Sequence, residues 1–344
     1  LIVDDSAVAR AVLARMIAAR PDFEIAATLS SADAALAFLS RRNVDIILLD
    51  IEMPGMDGLT ALPALLAASE GARVLIVSSA CDEGAAATMQ ALTLGAADTL
   101  AKPTASAFGG HFAEALFEKL ARIGHARSAP YPPAPGGNMA AMPPAVLRPL
   151  ASGPVECLAI GASTGGLHAL SNLLRALPRS FDAPILITQH LPPVFMPFFA
   201  SQICGVSGRP TKVAQNGVLL ERGHILVAPG EGHLCCKSVR GRVVATIVSD
   251  PVDNGCMPSV DPMLASVSDV FGATAIGIIL SGMGRDGVLG AAVLARAGGD
   301  LLVQDRESSV VWGMPGAIVS AGLASVVLPP DQLAELILQR QGAV

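Results

Sequence analysis

Short apolar runs of three to six residues alternate with alanine-rich stretches along most of the 344-residue chain, and this alternation narrows the fold more than any other feature. A strand, a helix and a second strand in succession form a crossover unit, and such units assemble parallel sheets with helices on both faces. Before residue 125 the runs fall at 1–3, 24–27, 46–49, 74–77 and 98–100, with helical patterns near 6–19, 31–41, 58–68, 83–94 and 110–123. The alternation stops at 128–149, "SAPYPPAPGGNMAAMPPAVLRP", where seven prolines remove backbone donors and favour extended chain. It resumes with runs at 155–160, 184–188, 225–228, 243–248, 275–280, 301–303 and 325–327, and residues 225–248 read as a hairpin rather than a crossover. The predicted organisation is an α/β domain over 1–122 with a five-stranded parallel sheet, a proline-rich linker over 123–152, and a second domain over 153–344. The second domain reads as doubly wound, mainly parallel α/β with an antiparallel hairpin. The length also favours two domains.

Composition removes several function classes. No apolar run reaches the roughly 18 to 20 residues of a spanning helix, and no charged-then-apolar signal opens the chain. No direct membrane insertion is expected, and the location is expected to be cytoplasmic. A formal net charge of −6 argues against nucleic-acid binding, which rests on phosphate neutralisation by Lys and Arg. The six cysteines (81, 157, 204, 235, 236 and 256) form no C-x-x-C pair and are expected to be reduced thiols, with Cys235 and Cys236 on opposite faces of a strand. The opening "LIVDDS" carries no methionine, so a few preceding residues are expected.

In parallel α/β sheets, ligands sit beyond the carboxyl ends of the strands. In the first domain those ends carry Asp4 and Asp5, Asp50, Ser78, and Lys102–Pro103. Crowded carboxylates suit a hard cation such as Mg²⁺, and a lysine and a hydroxyl suit a phosphoryl group. An aspartate that accepts phosphate fits this chemistry. The motifs "VDDS", "LLDIEMPGMDG", "VSS" and "KP" resemble those of response-regulator receiver domains over about residues 1–122. The resemblance implies a flavodoxin-like fold with Asp50 as phosphoacceptor. It also implies Mg²⁺ bound by Asp5, by Asp4 through water, by Asp50 and by the Glu52 carbonyl, with Ser78 and Lys102 on the phosphoryl group. Thr99 departs from that pattern, since related receivers often carry an aromatic residue there.

In the second domain "LAIGASTGG" sets Ser163 on a glycine-rich turn between an apolar run and a helix. Three readings compete: a nucleophile elbow, a degenerate dinucleotide loop, or a helix cap. No acidic residue ends the next strand, which counts against the dinucleotide. That strand, "PILITQHLPP", instead ends in His190, and "AIGIILSGMGRDG" places Asp286 beyond another strand of the same sheet. A hydroxyl, a base and an orienting carboxylate can thus meet at one rim. The order Ser, His, Asp differs from the Ser, Asp/Glu, His order of α/β-hydrolases. His168, His224 and His233 have no comparable setting and are expected to be non-catalytic.

With "ITQHLPP", "VAPG", "PSVDPML", "LSGMGRDG" and "VQDRESSVVWGMPGAI", the stretch 153–342 resembles the catalytic domain of the chemotaxis protein-glutamate methylesterases, the CheB family. The resemblance implies Ser163 as nucleophile, His190 as general base and acid, and Asp286 as the residue that orients the imidazole. Backbone amides near Thr164 and Met283 are candidates for the oxyanion hole, and Trp312 and Met314 for the cleft border. Met257 stands where the family often has a basic residue. The implied partners are methyl-accepting chemoreceptors as substrate and a histidine kinase as phosphodonor. The implied activities are ester hydrolysis with methanol release and deamidation of receptor glutamines, restrained by the receiver until Asp50 is phosphorylated. Mg²⁺ belongs to the receiver only, and the ester chemistry needs no cofactor. Two other readings stay open, a receiver-regulated hydrolase of another ester and a phosphorylation-dependent binding module.

Overall fold

The computed structural model describes residues 1–78, 82–102, 110–124 and 147–342, so most of the proline-rich stretch lies outside the described residues. The chain divides into two compact units, Leu1–Ala129 and Pro130–Val344.

The first unit alternates β1 (Ile2–Val3), α1 (Ala7–Ala18), β2 (Thr28–Leu29), α2 (Ala32–Leu39), β3 (Ile46–Leu49), α3 (Gly58–Ala68), β4 (Arg73–Ser78), α4 (Asp82–Leu94), β5 (Asp98–Ala101) and α5 (Gly110–Gly124). Its sheet is parallel throughout with strand order β2-β1-β3-β4-β5, the flavodoxin-like order. The strands are continuous apolar runs because helices cover both faces. Short polar side chains start the helices: the hydroxyl of Ser6 accepts from the Ala9 amide, that of Ser31 from Ala34, and the Asp57 carboxylate from Thr60. One expected strand is displaced. The run at 24–27 lies outside β2, which forms at Thr28–Leu29 with Thr28 opposite Ile2; of that run, the Ala27 carbonyl accepts the Ile2 amide at 3.0 Å.

The second unit carries β6 (Cys157–Ala162), α6 (Gly166–Ala176), β7 (Ile185–Gln189), α7 (Met196–Ser207), β8 (Thr211–Val213), β9 (Ile225–Val227), β10 (His233–Val239), β11 (Arg242–Val248), α8 (Val260–Phe271), β12 (Ala275–Ile279), α9 (Val288–Arg296), β13 (Asp300–Gln304), α10 (Gly313–Ser320), β14 (Val326–Leu328) and α11 (Pro330–Gly342). Seven strands form one parallel sheet in the order β14-β13-β12-β6-β7-β9-β8. The hairpin is narrower than expected. β9 joins the parallel sheet beside β7 and β8, and only β10 and β11 pair antiparallel, from His233 opposite Val248 to Val239 opposite Arg242. Arg240 and Gly241 connect them with φ of 50° and 76°, the left-handed pair that a two-residue hairpin turn requires. β8 has no counterpart among the expected strands; it is a three-residue edge strand, too short to leave a period. The hairpin packs on α8, and a single apolar core gathers Leu234 and Cys236 with Val260, Met263, Leu264, Ile279 and Met314.

The chain crosses from one side of its first strand to the other between β1 and β3 in the first sheet and between β6 and β12 in the second. Loops leave such a point on opposite faces and open a crevice beyond the strand ends. Asp4 and Asp50 follow β1 and β3; Ser163 and Asp286 follow β6 and β12.

Candidate active site

At the first crevice the carboxylates of Asp4, Asp5 and Asp50 lie within 4.8 Å of one another. Asp4 and Asp50 are buried, and Asp5 is exposed. The Nζ of Lys102 stands 2.5 Å from Asp50 Oδ2 and 2.9 Å from Asp4 Oδ2. Burial raises the Asp50 carboxyl above its ordinary value, against the pull of Lys102, while the charge of Asp4 adds to the rise. Burial works against the Lys102 ammonium, but its bonds to Asp50 and Asp4 outweigh this and raise it. Three carboxylates thus share one ammonium, which reaches Asp4 and Asp50 only, so the cluster has more negative charge than Lys102 neutralises. Three clustered carboxylates with this excess of negative charge fit Mg²⁺. Glu52 lies two residues past Asp50, with its amide 3.4 Å from Asp50 Oδ1. Ser78 ends β4 opposite Ala101, and its side chain lies outside the described residues. Ser6 caps α1, and its own amide donates to Asp4 Oδ1 at 2.9 Å.

At the second crevice Ser163 follows β6 directly. The register sets Ala162 opposite Gln189, so Ser163 and His190 sit side by side one residue beyond the strand ends, and the His190 amide donates to the Ala162 carbonyl at 3.1 Å. Gly165 follows with φ of 73° and caps α6, and a Cβ there would fall 2.3 Å from that of Val310. Glycine is therefore required at this turn. A Cβ on Gly282 would lie 2.9 Å from Ser163 Cβ and 2.4 Å from Met314 Sδ, so the loop after β12 can pass behind the serine only as glycine. No hydrogen bond joins Ser163 Oγ to the imidazole among the described residues; the two stand on adjacent strand ends without closing the contact.

His190 and Asp286 do meet. His190 Nε2 lies 2.7 Å from Asp286 Oδ2, which leaves Nδ1 as the ring nitrogen able to take a proton. Asp286 is 1% exposed and saturated with donors: Val260 N–H on Oδ2 at 2.7 Å, and Ser259 Oγ (2.6 Å), Asn254 Nδ2 (2.8 Å) and Gly287 N–H (2.9 Å) on Oδ1. Burial alone would raise its carboxyl, but the hydrogen bond and charge of His190, with Ser259 and Val260, bring it down to about 2. The N-termini of α8 and α9 both meet this carboxylate, which adds their dipoles to the ionised form. Burial and the charge of Asp286 raise the neighbouring Asp261, opposed by the Gly290 amide. The arrangement is an ionised, immobile carboxylate that fixes one tautomer of an imidazole beside a serine.

The remaining expected residues lie around this point. Thr164 is in the turn, and its carbonyl accepts from Ser281 Oγ at 2.8 Å. Met283 is 43% exposed at the rim, and its amide donates to no described acceptor. Met314 is buried against Gly282, while Trp312 starts α10 and donates its indole N–H to the Gln304 carbonyl at 3.0 Å. Met257 is 39% exposed. Two other histidines are braced elsewhere: His168 beside Asn172, and His224 beside Arg222 and Glu221. None of the described cysteines forms a disulfide, and Cys81 lies outside the described residues.

Sequence reasoning missed the residues that hold the site. Ser281 accepts from the Val311 amide and donates to Thr164, and its carbonyl takes the Ser163 amide at 3.0 Å. Gln189 Nε2 donates to the Ser163 carbonyl at 2.9 Å. Asn254 and Ser259 fix Asp286, and buried His233 accepts the Ser259 amide on Nδ1 at 2.8 Å while Nε2 faces the Asp250 carbonyl at 2.9 Å. Only "PSVD" carried a signal, as a cap before an apolar run.

Comparison with known proteins places this geometry among relatives. The CheB methylesterase family model matches residues 158–337, and the response regulator receiver domain model matches residues 1–107. A protein-glutamate methylesterase/protein-glutamine glutaminase of Caulobacter vibrioides is 42% identical, over 100% of this chain and 99% of its own. One from Azospirillum brasilense is 39% identical, over 98% of this chain and 91% of its own. The crystal structure of the Thermotoga maritima CheB methylesterase catalytic domain superposes with a TM-score of 0.52 at 34% identity, covering 54% of this chain and 98% of that one.

Proposed function

The chain belongs to the CheB methylesterase family, and from that premise we propose that it hydrolyses glutamate γ-methyl esters on chemoreceptors, deamidates receptor glutamines, and does both under the control of phosphorylation at Asp50. Ser163 Oγ attacks the γ-carbonyl carbon and passes its proton to Nδ1 of His190. The Nε2 proton stays on the ring, donated to the ionised Asp286, whose charge stabilises the imidazolium. Nδ1 then returns a proton to the departing methanol, or to ammonia where the substrate is an amide. Water repeats the sequence on the acyl-enzyme and frees Ser163. The amides of Thr164 and Met283 face the oxyanion. General-base help contributes about 10² to 10⁴-fold, and each oxyanion donor about 10² to 10³-fold. Exposed Met257 and Met283 give the rim flexible apolar contacts for a receptor helix.

In the receiver, Asp50 accepts the phosphoryl group from a partner histidine kinase. Asp5, Asp4 through water, Asp50 and the Glu52 carbonyl would hold Mg²⁺, as the three clustered carboxylates support. Bound there, the ion neutralises charge on the transferring phosphoryl group. Lys102 moves from its bridge between Asp4 and Asp50 onto the phosphoryl oxygens, joined by Ser78. Unphosphorylated, the receiver restrains the esterase. Substrate and kinase place the enzyme in the cytoplasm.

The observation that carries the reading is the His190–Asp286 pair at 2.7 Å, on the strand end next to Ser163. Ser163→Ala is expected to abolish methanol release from methylated receptor while Asp50 still takes up phosphate; unchanged release would remove Ser163 from the chemistry. Cleavage of small esters with methylated receptor untouched would reassign the substrate.

A further inference from the structure

A thiol stands beside the pair that the esterase reading makes catalytic. Cys256 Sγ, a ring nitrogen of His190 and a carboxylate oxygen of Asp286 lie within 4.8 Å of one another. We propose that these three side chains form an inhibitory site for a soft divalent cation of the zinc class, which holds the esterase off reversibly. The proposal rests on the esterase reading only for its consequence, not for the binding itself.

The donor set decides the class of ion. Thiolate, imidazole and carboxylate are the ligands that zinc takes at about 2.0 to 2.3 Å in tetrahedral sites. Thiolate disfavours Mg²⁺, which the all-oxygen cluster of Asp4, Asp5 and Asp50 suits instead. Among the described residues there are thus two clusters of opposite hardness, one in each unit.

The geometry is close to what coordination needs. Ligand atoms around a tetrahedral zinc stand about 3.3 to 3.7 Å apart, given those bond lengths. His190 and Asp286 are already nearer than that, so opening their contact slightly and turning the half-buried thiol inward completes three ligands. The backbone holds Cys256 for this. Its amide donates to Asn254 Oδ1 at 2.8 Å, and Asn254 Nδ2 donates to Asp286 Oδ1 at 2.8 Å, so one side chain ties the thiol's loop to the carboxylate. Asp286 Oδ1 is occupied by four donors, while Oδ2 holds only His190 and Val260, and Oδ2 is the oxygen that would turn to the ion. Two other thiols of this unit differ. Burial pushes Cys236 up to about 12 and Cys157 well above the ordinary thiol range, so neither supplies a thiolate near neutrality.

Binding releases the Cys256 thiol proton to solvent and changes no oxidation state. If the ion sits on Nε2, the ring proton moves to Nδ1, the nitrogen that Ser163 needs; if it sits on Nδ1, it takes that lone pair directly. Either way the imidazole no longer accepts the serine proton. The fourth position is left to water.

The test uses the full chain in excess Mg²⁺, which saturates the receiver cluster, and a buffer that does not chelate. Methanol release from methylated receptor is followed against added ZnCl₂, each variant scaled to its own zinc-free rate. Wild type is expected to lose activity and regain it with EDTA, while Cys256→Ser needs roughly tenfold more zinc or higher. Equal sensitivity of the two overturns the proposal. Binding is read separately with CoCl₂, which gives a thiolate-to-cobalt absorption band. The band is expected in wild type and in Ser163→Ala, which has all three ligands, and is expected to be missing from Cys256→Ser. Its absence from wild type also overturns the proposal, whereas a band in a protein inert toward methylated receptor overturns the esterase reading alone.

Discussion

Asp286 is surrounded by donors that prefer it ionised, and this sets both its chemistry and its titration. Five polar hydrogens within 3 Å stabilise the charge that burial opposes. In the unfolded chain such a carboxyl titrates near about 3.9. Its folded value of about 2 is lower, so the stability it contributes is complete above about pH 4 and is lost as pH falls toward 2. Asp286→Asn is expected to flatten that acid limb in urea unfolding followed against pH. The same variant presents an amide in place of the acceptor that fixes the Nε2–H tautomer, and its kcat is expected to fall by about 10³ to 10⁴-fold. A kcat near wild type would mean that the imidazole is oriented by something else.

The elements that build the site differ in how they read from sequence. β6, β7 and β12 are buried apolar runs of five or six residues, and the carboxyl-end rule finds Ser163, His190 and Asp286 from them. The acidic ends of β1 and β3 are legible for the same reason. The braces are not. Asn254, Ser259 and His233 lie on a loop, at a helix cap and at the start of a hairpin strand, and their roles depend on a partner 26 to 32 residues away, or 17 in the case of Asp250. No period records such a partner. The edge strand β8 and the displaced β2 were likewise hidden, since two or three residues carry no pattern and register is fixed by the neighbouring strand. Among the braces, Ser259 joins an element to the site: it caps α8 and also bonds Asp286. Ser259→Ala is expected to cost about 1 to 2 kcal/mol in unfolding free energy and to lower kcat more than it raises KM. A loss of stability with kcat unchanged would make Ser259 a cap only.

On the scale of the whole molecule, each of the two units has a crevice where the chain crosses to the other side of its first strand, and the proposed function gives one to phosphate and one to ester. Restraint of one by the other requires that the esterase unit be competent alone. A fragment beginning at residue 147 is expected to fold, to release methanol from methylated receptor faster than the unphosphorylated full chain, and to ignore phosphodonors; a folded fragment slower than the full chain would argue against restraint. The central claim, a serine esterase under receiver control, is tested most directly in the intact protein. Methanol release from methyl-labelled receptor would be measured with and without a small-molecule phosphodonor, in wild type and in Asp50→Asn. The expected result is slow release that rises with phosphodonor and Mg²⁺ in wild type and stays slow in Asp50→Asn. Release that is the same in all four conditions, or that rises equally in Asp50→Asn, would contradict it.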